Sequence, residues 1–339
     1  MAMTLEEMKV GLSDKVARQV VDIFLRESEI LQMLPFDNCV SPQGGSTLTY
    51  TYMQKKLPSV AGFRALNNEY TATQATLEKK SADLKIFGGK FSMDRVLKQA
   101  EGPYNNMAYQ MEEKILAAIS LFHYTLINGD ATTTANEFDG LDQMLAGTTS
   151  EFNTGAVIDL SNMTNLKNNA DQFYEALQIL VNNTKADALL MNGSMIAKIQ
   201  TVARILGYKT ESETAFGRKV VSMDGVRFMD LGKHYTVSGS TVTGNDCVKA
   251  GISRTVGSAQ TGLTDIYAVK FDINDGFHGA SLTGNGVLKQ YLPDFNTPGA
   301  VKDGEVEMVA ATVLKNTAKA GVLRNIKIGE KKGRNQDGN

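Results

Sequence analysis

The chain has 339 residues, 42% of them hydrophobic, and a formal net charge of −2. That size accommodates one large or two ordinary domains with a real core, and the near-neutral charge removes the electrostatic argument for sequence-independent nucleic-acid binding. No apolar run approaches the ~18 residues of a membrane span. The longest clean stretch is Ile115 to Phe122, so the sequence predicts a soluble protein with no membrane contact.

At the start of the chain, Glu6 and Glu7 stand where a secretory signal needs a basic region and then an apolar block. Synthesis and retention in a cytoplasm are therefore expected. In that reduced compartment Cys39 and Cys247 read as small buried hydrophobes, not as a bridge. From Leu5 to Met33, apolar residues at Met8, Leu12, Val16, Val20, Ile23, Phe24 and Leu31 recur at mostly helical spacing, and Pro35 ends the pattern. Acids outnumber bases along this predicted helix, so it is no nucleic-acid arm.

From Ser46 the period changes to two. Leu48, Tyr50 and Tyr52 alternate with Thr47, Thr49 and Thr51, residues suited to a pleated surface. The partner limb of a hairpin is expected from Leu84 to Met93, with residues 53–82 forming a long polar insertion between the limbs; insertions of that length usually carry function. The next segment is strongly helical: Pro103 suits a first turn, and Met107, Met111, Ile115, Ile119, Phe122 and Leu126 share one face. At 1.5 Å per residue, 103–128 would form a rod of about 38 Å. Gly129 is expected to supply a left-handed cap, and Glu137-Phe-Asp-Gly-Leu141 closes the helix.

Further along, Leu166 to Val181 reads as a helix, Ala186 to Gly193 as a buried strand and turn, and Ser194 to Leu206 as another helix. Strands are predicted at Val220 to Met223, Arg227 to Leu231, Asp265 to Phe271, Leu288 to Leu292, Glu305 to Leu314 and Val322 to Ile328. The class is α+β. The polar tail, 329–339, is expected to be loose.

Motifs that would mark an enzyme do not occur. His123, His234 and His278 are the only histidines, and no His/Cys pair has metal-ligand spacing. Gly88-Gly-Lys90 lacks the earlier glycine and following Ser/Thr of a phosphate loop. Asp272-Ile-Asn-Asp-Gly276 has its glycine one place too early for a calcium loop and reads as a strand-end turn. No catalytic, cofactor or metal residue is assigned, and no cofactor is expected.

Three phrases, Asn128-Gly-Asp130 with Glu137-Phe-Asp-Gly-Leu141, Ala186 to Gln200, and Val306 to Ile328, taken with the order of hairpin and long helix, resemble the major capsid proteins of tailed bacteriophages, the Hong Kong ninety-seven type. The resemblance covers nearly the whole chain. It implies an N-terminal arm at 1–45, an extended loop at 46–93, and a peripheral domain at 94–184 with a spine helix at 103–128. An axial domain at 185–300, closing strands of the peripheral domain at 301–328 and a flexible tail at 329–339 complete it. The implied function is a structural, non-enzymatic subunit that assembles as hexamers and pentamers into an icosahedral shell around double-stranded DNA. Such a subunit belongs to the virion, with the host cytoplasm as the place of assembly. Fewer than fifty residues precede the extended loop, so any scaffold is expected to be a separate protein; portal, decoration proteins and packaged DNA are the other implied partners. An encapsulin-like compartment, which shares the fold but encloses a cargo enzyme, is the alternative, and a soluble α/β enzyme is a third.

The residues themselves suggest an inter-subunit contact. The loop 46–93 carries Lys55, Lys56, Lys79, Lys80, Lys85 and Lys90 and is net +4, whereas 130–175 is net −7. The expectation is that the basic loop of one subunit lies over the acidic region of its neighbour.

Overall fold

Helix α2 (Asn106–Asn128) turns Met111, Ile115, Ile119, Phe122 and Leu126 to one side, and all five are buried, as their spacing of three and four predicts. The computed structural model to which it belongs describes residues 29–39, 47–96, 106–208, 211–215, 218–223, 225–239, 241–282 and 288–329. What α2 covers is a five-stranded sheet of β1 (Phe36–Asn38), β4 (Lys85–Asp94), β15 (Phe277–Ser281), β16 (Leu288–Tyr291) and β17 (Val301–Leu314). β17 is the axis of this sheet. Strand β4 runs antiparallel along one edge from Val301 to Ala310, and β15 and β16 lie end to end along the other. The Phe122 ring packs at 5.9 to 6.2 Å from those of Phe36, Phe87 and Phe138, joining helix, sheet and the segment after the helix. At Gly88 in β4 a Cβ would sit 1.9 Å from the Val306 carbonyl oxygen of β17, so no other residue fits there without moving backbone.

The second sheet has nine strands: β5 (Glu151–Phe152), β6 (Ile158–Asp159), β7 (Ala188–Leu190), β8 (Glu211–Ala215), β9 (Arg218–Met223), β10 (Val226–Met229), β13 (Ala250–Val256), β14 (Ser258–Val269) and β18 (Ala320–Lys327). Helices α4 (Met163–Thr184) and α5 (Gly193–Leu206) cover it, burying Phe173, Leu177, Leu180, Ile199 and Val202 in one core with Ile266, Leu323 and Ile326. Each helix starts at an asparagine: the Asn162 side chain accepts from the Asn165 amide and Asn192 from the Met195 amide. Two ribbons stand apart from both sheets, β2 (Thr49–Leu57) with β3 (Thr76–Asp83), and β11 (Lys233–Ser238) with β12 (Thr241–Asp246).

Several expectations need correction. The hairpin that opens at β2 returns through 76–83, not 84–93; the latter segment is β4 and pairs with β17. Phe91 and Met93 explain the difference, since their burial requires the main sheet. The insertion between the limbs shrinks to 58–75. Gly129 has no left-handed backbone. It is required for close approach, because a Cβ there would meet the Phe138 carbonyl oxygen at 2.2 Å, and its own carbonyl accepts from Gly140. The phrase 137–141 thus closes α2 by folding Phe138 and Leu141 into the core around a glycine pair, and Leu141 opens the short helix α3 (Leu141–Leu145). The proposed closing strands part company, β17 entering the five-stranded sheet and β18 the nine-stranded one. Of the N-terminal helix, only α1 (Glu29–Met33) falls within the described residues; Pro103 and 330–339 also lie outside them.

Candidate assembly surface

The alternation that marks β2 as a strand also divides its side chains into two sets. Tyr50, Tyr52 and Gln54 face the chain's own body. The Tyr50 hydroxyl donates to Asp37 (2.6 Å), the Tyr52 hydroxyl to the Leu314 carbonyl (3.2 Å), and the Gln54 amide to the Lys315 carbonyl (2.9 Å). The Lys315 ammonium lies 5.4 Å from the centre of the Tyr50 ring. Burial would raise the Asp37 carboxyl, but the Tyr50 hydroxyl, the Asn38 amide and Lys315 outweigh it and hold the group below the usual carboxylate range. Burial and the same hydrogen bond push the Tyr50 phenol up. Three contacts therefore pin the root of the hairpin to the end of β17 and to β1.

On the opposite face the register pairs Thr51 with Ser81, Met53 with Lys79 and Lys55 with Leu77. Met53 and Leu77 are 64% and 62% exposed. Beyond them, the loop 58–75 exposes Val60, Phe63, Leu66 and Tyr70. A run of exposed apolar side chains this long marks a surface that meets something else.

The six predicted contact lysines do not act as one set. Lys85 donates to the Ala135 carbonyl of its own chain, Lys90 pairs with Asp303, and Lys56 and Lys80 approach Glu78. Lys55 and Lys79 alone share the outer hairpin face with Met53 and Leu77. The acidic region resolves in the same way. Asp130 accepts from Thr132 and Thr133, Asp142 and Glu151 from Arg324, and Asp159 from Ser161 and Asn165. Asp171 and Glu175 are left exposed on α4.

A buried ionic cluster ties that region to the nine-stranded sheet. Asp265 on β14, only 1% exposed, receives both terminal nitrogens of Arg254 at 2.6 Å and one from Arg324 at 3.0 Å. Arg324 on β18 also reaches Asp142 and, at 2.7 Å, Glu151, while Tyr267 donates to Asp142. Burial opposes ionisation of Asp142, but Arg324 and Tyr267 hold its carboxyl below the ordinary range. Asn325 adopts a left-handed backbone (φ 61°) beside the cluster, which lets its amide reach Asp265 and its side chain reach the Asn153 and Thr154 carbonyls. The sequence does carry a signal for this cluster: Asp265 directly precedes the apolar run Ile266 to Val269 and Arg324 directly follows Ala320 to Leu323, and a charge set against a buried run needs a partner.

A cavity of about 440 Å³ lies under the hairpin root, lined by Tyr52, Gln54, Phe138, Met144, Thr312 and Leu314 among others. His123 is buried with Nδ1 3.3 Å from the Leu231 carbonyl, and His234 lies 3.4 Å from the Ser120 hydroxyl. Both cysteines are free thiols, and burial pushes Cys247 up to about 12. Among the described residues no group of His, Cys, Asp and Glu is placed to hold a metal ion, and no helix is long and apolar enough to cross a membrane.

No protein-family model and no curated protein matches the sequence. Solved structures do match in fold. The chain is similar to the SrpI encapsulin complex of Synechococcus elongatus PCC 7942 (12% identity, TM-score 0.57, 89% of this chain and 88% of that one). It is also similar to a chain of Mycobacterium phage Bobi (11% identity, TM-score 0.55, 89% and 90%). The capsid of a native GTA particle gives 11% identity and a TM-score of 0.54, covering 87% and 89%. The fold is that of the tailed-phage capsid and encapsulin shell proteins, over almost the whole chain.

Proposed function

We propose that the chain is a structural major capsid protein that assembles into the closed shell of a tailed phage or prophage. The observation that carries this reading is the hairpin β2–β3, pinned at its root and exposing Met53, Leu77 and the apolar side chains of 58–75, on a fold shared with shell proteins. An isolated two-stranded ribbon is marginal in water, so a neighbouring subunit supplies the missing contacts. Hexamers and pentamers are the arrangement this reading expects, with double-stranded DNA held non-specifically inside and a separate scaffold, portal and decoration proteins as further partners. The protein is then located in the virion, after assembly in the host cytoplasm, and performs no catalysis.

Likeness to the SrpI encapsulin supports a second reading, a shell that encloses protein cargo. One preparation tests both. Electron microscopy and light scattering of the purified full chain, with and without a co-expressed scaffold, should show capsomers or shells. A species that stays monomeric at high concentration under both conditions removes the shell reading. Nuclease-protected DNA in the particles supports the capsid, a defined protein cargo the encapsulin.

In the assembled state the outer hairpin face lies on a neighbour. Two stripes of this chain combine exposed acid with exposed apolar surface: Tyr109, Glu113 and Ala117 on α2, and Asp171, Glu175 and Ile179 on α4. Both follow a four-residue spacing that keeps them on one helix face. Lys55 and Lys79, flanked by Met53 and Leu77, match either.

A further inference from the structure

The root of the hairpin rests on a buried histidine that the assembly reading does not use. His278, in β15, is fully buried, and neither ring nitrogen makes a well-formed hydrogen bond. The Tyr50 ring stands edge-on to it with centroids 5.6 Å apart, closing the site from the β2 side. Tyr50 is also the residue whose hydroxyl is held by Asp37 and whose ring carries Lys315. The ionisable groups facing this site are few. Asp37 comes from β1 with Cys39 just beyond it, Tyr50 from β2, Lys315 from the end of β17, and Asp272 from the turn before β15.

We propose that His278 is an acid-sensitive plug beneath the hairpin: the docked root requires a neutral imidazole, and protonation releases β2 from β1 and β17. Burial and the Lys315 charge push the imidazole down to about 4, against weaker opposing pulls from the Gly276 backbone, Asp37 and Asp272. The sign follows from linkage. A histidine that is neutral when docked but titrates near 6.5 once exposed binds its proton only in the undocked form between those two values. Docking is therefore complete above about pH 6.5 and weakens as the pH falls toward 4, with the undocked-to-docked ratio rising up to about tenfold per pH unit. Asp37 acts in a separate, lower window. Its carboxyl lies below the usual range when docked, so its contribution is lost only as the pH falls through and below that range.

Distance measurement between spin labels reads this directly. Labels at Leu66→Cys on the hairpin loop and Lys167→Cys on α4, in a Cys39→Ser/Cys247→Ala full chain, report the position of the hairpin against the body from pH 7.5 to 4.5. The parent should gain a second distance population below pH 6.5. His278→Phe and His278→Gln, which cannot titrate, should show no such growth. Tyr50→Phe, lacking the bond to Asp37, should raise the undocked fraction at pH 7.5 and bring the pH-dependent rise into a measurable range. An undocked fraction that ignores pH in both the parent and Tyr50→Phe overturns the plug, and so does a pH response that survives in both His278 variants. Neither outcome touches the shell assignment, which rests on assembly.

Discussion

The nine-stranded sheet and the β2–β3 hairpin treat their side chains in opposite ways. The sheet buries even charge: Asp265 and Arg324 are 1% and 6% exposed, and each has its partners within the same chain. The hairpin leaves Met53, Phe63, Leu66 and Leu77 in solvent while fixing its root with three hydrogen bonds. A sheet that satisfies its own buried ions folds as a complete unit. A ribbon that orders its base and exposes its apolar side is finished by another molecule. The comparison makes substitutions in the two regions separable, one class acting on folding and the other on association.

The largest effect is expected on the folded side, at Ile119. It lies in the middle of the buried face of α2, 5% exposed, in the core cluster that α2 shares with residues of both sheets. Ile119→Asp places an unpaired carboxylate there at a cost of several kcal/mol. Soluble yield should collapse. Parent-like expression and melting would mean that this face is not the core the structure describes.

A smaller but still large loss is expected at Asp265, where the carboxylate holds both Arg254 and Arg324. Asp265→Asn leaves two arginines with too little negative charge in a buried site, and breaking such a pair from one side costs about 3 to 5 kcal/mol. Urea unfolding should show the midpoint falling with little change in slope. Loss of assembly at unchanged stability would move the cluster from the folding side of the comparison to the association side.

Legibility in the sequence followed the same division. Elements whose apolar residues are buried against their own chain were readable: the face of α2, helices α4 and α5, and the apolar runs of β14, β17 and β18. What periodicity could not give was pairing. The return limb is misplaced in the sequence because Leu84 to Phe91 alternates only imperfectly, and only the burial of Phe91 and Met93 against β17 shows which sheet takes it. β11 and β12 were missed because both are largely polar and exposed, with no buried face to set a period. The contact lysines were found as a composition, a net charge on a segment. Which of them share a face depends on register, and register separates Lys55 and Lys79 from the four that turn to their own chain.

The smallest effect, and the one that belongs wholly to association, concerns those two lysines. Exposed ion pairs contribute about 0 to 1 kcal/mol each, so Lys55→Glu/Lys79→Glu should leave melting unchanged within a few tenths of a kcal/mol. Repeated once per subunit around a closed assembly, the same change should slow and weaken assembly followed by light scattering, and the parent should assemble less readily as salt rises. Rescue then identifies the acceptor. If the neighbour offers its α2 stripe, adding Glu113→Lys to the lysine reversal should restore assembly in part; if it offers α4, Asp171→Lys/Glu175→Lys should do so. Reversal without any effect, in a parent whose assembly ignores salt, would remove electrostatics from the contact. The exposed Met53 and Leu77 would then account for it alone, and Met53→Ser/Leu77→Ser should abolish assembly while the folded chain keeps its stability.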